Sequence, residues 1–189
     1  MPRSALLLDR DGTLIEDPGY LADPALVRLI PGAAEALRRL QGRFALVVVS
    51  NQSGVGRGLI APEQAGAVHE RFVEELAAHG VRLAGSYYCP HGPDEDCACR
   101  KPRTGMLDQA ARELDLDLPA SWMVGDKESD VQAGAAAGAM TIRLGPGPSG
   151  ADHVASDWRA IEDLLAGAVD SPPSRSSRGR THSPKEASE

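Results

Sequence analysis

The stretch "ALLLDRDGTL" (5–14) decides the fold. An apolar run, Ala5 to Leu8, breaks at once into Asp9, Arg10, Asp11 and Gly12. A short β-branched or leucine-rich run that ends so abruptly in polar residues and a glycine reads as a buried strand reaching its edge. Further runs of this kind stand at 44–50 ("FALVVVS"), 85–89 ("GSYYC"), 121–126 ("SWMVGD") and 140–144 ("MTIRL"), with a weaker one at 153–155. Segments of helical period lie between them, at 32–41, 62–80, 104–115 and 129–138. In the second of these Ala65, Val68, Phe72 and Leu76 share one face, and Pro62 suits the first turn. Strand and helix alternate, which predicts an α/β fold: a Rossmann-like parallel sheet with helices on both faces.

Composition narrows the function. The chain has 189 residues, enough for one domain with a core but not comfortably for two. Its net charge is -7, with two Trp, three Tyr and two Phe, so a basic, ring-bearing nucleic-acid surface is not expected. The opening apolar run is too short for a secretory signal, and "FALVVV" is too short to span a bilayer. A cytoplasmic protein with no membrane partner is expected, a monomer by default. A domain over 1–169 and a tail over 170–189 are expected, because the tail is rich in Ser, Pro and charge and cannot offset its ordering entropy.

Ligands of open parallel sheets collect at the carboxyl ends of the strands. The first expected strand ends in Asp9 and Asp11, whose side chains leave an extended chain on the same side. Carboxylates that close repel one another unless a cation or a proton intervenes, and Mg²⁺ is the natural hard cation. A solvated acidic turn is the plainer alternative. The second strand end, "SNQSGVGRG" (50–58), is a turn rich in small donors and suits an oxyanion, although such turns are common. In "CRKPRTGM" (99–106), Arg100 and Lys101 stand before a helix N-terminus; alone they would read as a solvated pair. In "VGDKESDVQAG" (124–134), Asp126 can complete a metal site with Asp130 behind it, unless Asp130 only caps a helix.

All three cysteines, Cys89, Cys97 and Cys99, fall in "CPHGPDEDCACRKP" (89–102) together with His91. A disulfide is disfavoured in the cytoplasm, and a redox site would want C-x-x-C, which is absent. Three thiolates and one imidazole make a closed tetrahedral set for a structural Zn²⁺, with free thiols as the alternative. A polar loop clipped by zinc would hold Arg100 and Lys101 in place.

"DRDGT", the strand-end Ser50, Lys101 before a helix, and "GDxxxD" together resemble the four motifs of the haloacid dehalogenase superfamily. "LLLDRDGTLIEDPGYL", "LVVVSNQSGVGRG", the cysteine loop and "VGDKESDVQAG" more narrowly resemble its heptose 1,7-bisphosphate 7-phosphatases and the related histidinol-phosphate phosphatases. The resemblance spans 5 to about 145 and implies an uncapped phosphatase, since neither inter-motif gap can hold a cap domain. It implies Asp9 as nucleophile, Asp11 as acid/base, and Ser50 and Lys101 as stabilisers of the transferring phosphoryl group. Mg²⁺ would be held by Asp9, the Asp11 carbonyl and Asp126, with the Lys127 carbonyl nearby and Asp130 in support. The family's Cys₃His loop agrees with zinc on Cys89, His91, Cys97 and Cys99.

A small phosphorylated sugar is the implied substrate. It would be contacted by Asp17, Gly19 and Tyr20 of "EDPGYL" and by Asn51, Gln52, Ser53, Arg57 and Arg100. Pro18 departs from the histidine of some relatives, and the five residues between His91 and Cys97 resemble the histidinol-phosphate group. A phosphoryl-accepting receiver module is the alternative of another class. It has no use for a carboxylate two residues after its acceptor, nor for a metal clip.

Overall fold

The computed structural model describes residues 2–167; the expected tail lies outside the described residues. Six parallel strands form one sheet in the order β3-β2-β1-β4-β5-β6. They are β1 (Ala5–Leu8), β2 (Ala45–Asn51), β3 (Gly85–Cys89), β4 (Trp122–Gly125), β5 (Met140–Leu144) and β6 (His153–Ala155). Each expected strand is present, within a residue of its expected ends. Strand β1 lies between β2 and β4, with Leu6 opposite Leu46 on one side and Trp122 on the other.

Why the strands read as unbroken apolar runs is plain from their neighbours: both faces of the sheet are covered. Leu6 and Leu8 of β1 and Leu46 and Val48 of β2 pack beneath α1 (Ala33–Leu40), α3 (Pro62–Ala78) and α6 (Trp158–Gly167). Ala5, Leu7, Val47 and Val49 point the other way, to α4 (Gly105–Leu114) and α5 (Glu128–Ala136). Helix α3 buries Val68, Phe72 and Leu76 as its period predicts, with Pro62 in its first turn; Ala65 is only partly covered.

Two helices were not expected from the sequence. Helix α2 (Ser53–Gly56) is a single turn following β2. Helix α6 carries its signal openly: Asp157 accepts the Ala160 N–H at 2.9 Å as a cap, and Trp158, Ile161 and Leu165 are fully buried at helical spacing. Its Trp158 Nε1 donates to the Thr13 carbonyl at 2.8 Å, tying the far end of the chain to the loop after β1.

Candidate active site

The segments that lead from the carboxyl ends of four neighbouring strands, β3, β2, β1 and β4, line one cavity of about 240 Å³. Of the residues singled out in the sequence, Asp9, Asp11, Asp17, Gly19, Tyr20, Ser50, Asn51, Gln52, Ser53, Lys101, Lys127 and Asp130 all line it. Arg57 reaches it indirectly, donating from Nη1 to the Tyr20 hydroxyl at 2.7 Å. Arg100 turns instead toward the cysteine loop, where its Nη1 meets the His91 carbonyl at 3.3 Å.

Asp9 follows directly on β1 and is 5% exposed. Lys101 Nζ lies 2.7 Å from Asp9 Oδ1, 2.6 Å from Asp130 Oδ1, and donates to the Val49 carbonyl at 2.6 Å. Burial works against the Lys101 charge, yet Asp9 and Asp130 more than offset it and raise its pKa. Burial also dominates at Asp9 and lifts it above the usual carboxylate range, although Lys101 opposes this. Asp126 is pushed up to about 6 by burial and by the charge of Asp9. Asp130 also takes the capping place the sequence suggested, because its Oδ2 accepts the Lys127 N–H at 3.0 Å at the start of α5.

Gly12 explains how the carboxylates come so close. It sits at φ 83°, and a Cβ there would lie 2.5 Å from Asp126 Oδ2. Asp9, Asp126 and Asp130 each offer an oxygen within 4.8 Å of the others. A set of hard oxygen donors whose mutual repulsion already raises a pKa suits a divalent cation of the Mg²⁺ class. Sequence reasoning missed Arg143 of β5, whose Nε donates to the Asp126 carbonyl at 3.0 Å and fixes that turn. Its only signal was a lone cation in an apolar strand.

The loop 16–21 lines the cavity with Asp17, Gly19, Tyr20 and Leu21. Asp17 Oδ2 meets Lys127 Nζ at 3.2 Å, and the Tyr20 ring packs so near Gly54 that a Cβ there would stand 2.8 Å from Tyr20 Cδ1. Tyr20 takes φ 46°, just after Gly19 at φ 77°.

At the end of β3, Cys89, His91, Cys97 and Cys99 converge. Cys99 Sγ is 3.2 Å and Cys97 Sγ 3.7 Å from Cys89 Sγ, and His91 Nδ1 is 3.5 Å from Cys89 Sγ and 3.2 Å from Cys99 Sγ. These are far beyond a disulfide bond and near the edge of about 3.8 Å that a tetrahedron of zinc–sulfur bonds would have. Burial and the Cys99 thiol push Cys89 up to about 12, so a thiolate there needs a cation beside it. The cluster could therefore hold a metal.

The loop docks where the phosphate-type turn begins. Gln52 N donates to the Cys89 carbonyl at 2.7 Å, Gly56 N to the Pro90 carbonyl at 2.8 Å, and Asn51 exchanges two hydrogen bonds with the Lys101 backbone.

Comparison with known proteins agrees with this arrangement. Residues 98–166 match the family described as "HAD-hyrolase-like". A D-glycero-beta-D-manno-heptose-1,7-bisphosphate 7-phosphatase of Yersinia pestis is 44% identical over 173 residues, covering 85% of this chain and 92% of its own. The protein of that name from Escherichia coli K12 is 42% identical over 173 residues, 85% of this chain and 91% of its own. In structure, a D,D-heptose 1,7-bisphosphate phosphatase from B. bronchiseptica, complexed with magnesium and phosphate, superposes with a TM-score of 0.78 at 34% identity, over 87% of this chain and 98% of that one. The fold is that of the haloacid dehalogenase-like hydrolases. Within that class the chain belongs to the family of the heptose 1,7-bisphosphate 7-phosphatases.

Proposed function

We propose that the chain removes the 7-phosphate of D-glycero-D-manno-heptose 1,7-bisphosphate, the β anomer being favoured by the names of its relatives. The observation that carries the chemistry is the buried Asp9 at the cavity floor, bound by Lys101 at 2.7 Å with Asp11 two residues on. Asp9 attacks phosphorus; an Asp9 Oδ–P bond forms as the bond to the sugar oxygen breaks. Asp11 gives its proton to the departing oxygen. It then takes one from the water that attacks the phospho-Asp9, releasing phosphate and free Asp9. Lys101 and Ser50 stabilise charge on the equatorial oxygens, and both are buried and already fixed before substrate arrives.

Asp9, the Asp11 carbonyl and Asp126 would hold Mg²⁺, with Asp130 supporting Lys101 and the Lys127 backbone. When bound, the ion offsets the repulsion between the phosphate and Asp9. Cys89, His91, Cys97 and Cys99 would hold Zn²⁺ in a structural role, as their closed ligand set implies. The sugar is oriented by Asp17, Gly19 and Tyr20 from the loop 16–21, with Arg57 behind Tyr20, and by Asn51, Gln52 and Ser53. Arg100 contacts substrate only by leaving the His91 carbonyl.

The test is kcat/KM, with Mg²⁺ present, for both heptose bisphosphate anomers against histidinol phosphate. Preference for the β anomer by about 10²-fold, a difference of about 2.7 kcal/mol in transition-state binding, is expected. A preference for histidinol phosphate would overturn the substrate assignment and leave the chemistry standing.

A further inference from the structure

Arg10 stands between the two aspartates of the proposed mechanism, and that mechanism gives it nothing to do. It is 2% exposed. A guanidinium so buried costs several kcal/mol unless its charge is paired, and here Asp11 pairs it. Nε donates to Asp11 Oδ1 at 2.9 Å and Nη2 to Asp11 Oδ2 at 3.1 Å, the side-on fork that fits a carboxylate. Nη2 also donates to Gln52 Oε1 at 2.9 Å, and Gln52 Nε2 returns to Asp11 Oδ2 at 2.7 Å and to Ser50 Oγ at 3.1 Å. Arg10, Asp11 and Gln52 thus close a ring of hydrogen bonds.

Arg10 is itself held from two sides. Its Cζ lies 5.6 Å from the centre of the Tyr88 ring, and the Tyr88 hydroxyl is 2.7 Å from His69 Nδ1 on α3. Its carbonyl accepts the N–H groups of Leu14 at 2.8 Å and Ile15 at 3.0 Å, so the loop after β1 winds around it. Burial alone would lower the Arg10 pKa, but Asp11 reverses this and raises it.

The geometry points to Arg10 as the positioning residue of the acid/base: its fork, backed by Tyr88 and shared with Gln52, fixes the plane and reach of the Asp11 carboxylate. This rests on the proposed role of Asp11. A structural ion pair would be equally well made against a carboxylate outside the site, whereas Asp11 lines the cavity beside Asp9. A short side chain partly open to solvent has several rotamers, and a displacement of about 1 Å at a reacting group can cost on the order of 10²-fold in rate.

The experiment uses Arg10→Met and Arg10→Lys, alone and combined with Asp11→Asn, on two substrates. One is the heptose bisphosphate. The other is p-nitrophenyl phosphate, whose leaving group departs without a proton, so that only hydrolysis of phospho-Asp9 needs Asp11. Arg10→Met should lower kcat on the sugar about 10²-fold with little change in KM, and Arg10→Lys should recover part of it. On the aryl ester Arg10→Met should release a burst of nitrophenolate equal to the enzyme and then turn over slowly. In the Asp11→Asn background, removing Arg10 should not slow the decay of phospho-Asp9 any further, since neighbours acting through one another are not additive.

A further loss in that background, or an equal fall on both substrates with no burst, overturns the proposal. If Arg10→Met does not fold, Arg10→Lys with and without Asp11→Asn decides by the same decay. A wild-type protein that hydrolyses the aryl ester but not the sugar bisphosphate refutes the substrate assignment and leaves this test readable.

Discussion

His69 carries a pH dependence that can be worked out from its surroundings. It is half-buried, and burial first, then the Arg10 charge, lowers its pKa below the ordinary 6.5, with Glu70 opposing weakly. The neutral ring can accept the Tyr88 O–H at Nδ1; the protonated ring cannot. Because the folded value is the lower one, the unfolded chain binds more protons at acid pH. The stabilisation is whole above 6.5 and is lost as pH falls through the folded value. His69→Gln, which does not titrate, should show a smaller drop in Tm between neutral pH and about pH 5 than the parent; an equal drop would sink the assignment. Asp9, Asp11 and Asp126 were legible in the sequence because each stands where an apolar strand stops, and Lys101 because it stands just before a helix. Arg10 was not, since lying between two carboxylates does not say that its side chain crosses to the opposite side and grips one of them.

At the scale of elements, the cysteine loop and α2 hold each other. A Cβ on Gly56 would lie 2.5 Å from Gly92 N and 2.7 Å from the Pro90 carbonyl, both backbone atoms that cannot easily give. A Cβ on Gly105 would lie 2.4 Å from the Ala98 carbonyl, so the loop is pressed against the start of α4 as well. Gly56→Ala should therefore cost about 1–3 kcal/mol of stability, the usual range for overpacking, read as a lower midpoint in urea. Chelation of a Zn²⁺ held by the proposed Cys₃His set should act through the same contact, lowering Tm and raising KM together, with added Mg²⁺ failing to restore either. A zinc-free protein with unchanged melting and kinetics would refute the structural role. The ligand spacing was readable in advance, but the docking onto α2 was not. It depends on backbone-to-backbone approach, which leaves only a glycine as its trace.

Across the whole molecule, strand order was the less legible part. Alternating runs and helical periods announced a parallel sheet, yet only long-range pairing puts β1 between β2 and β4. Helix α6 was not expected, although Trp158, Ile161 and Leu165 carry its period. It is tied to the loop after β1 by a buried bond, Trp158 Nε1 to the Thr13 carbonyl at 2.8 Å. Trp158→Phe keeps most of the packing and leaves that carbonyl unpaired, which should cost about 1–3 kcal/mol. Calorimetry that shows no change in Tm would mean that this bond adds nothing to the hold on α6.

The central place of β1 has one more consequence, and it falls during synthesis. Its partner on one side, Ala45–Val48, leaves the ribosome soon after it, but Trp122–Val124 on the other side emerges far later. Until then the backbone N–H and C=O groups beside Leu6, Leu7 and Leu8 face outward with nothing to pair them. A bare leucine-rich edge is an open template for a second chain. The emerging polypeptide is thus most apt to stick to its own copies in the interval before β4, and the finished sheet buries the strand that was the hazard.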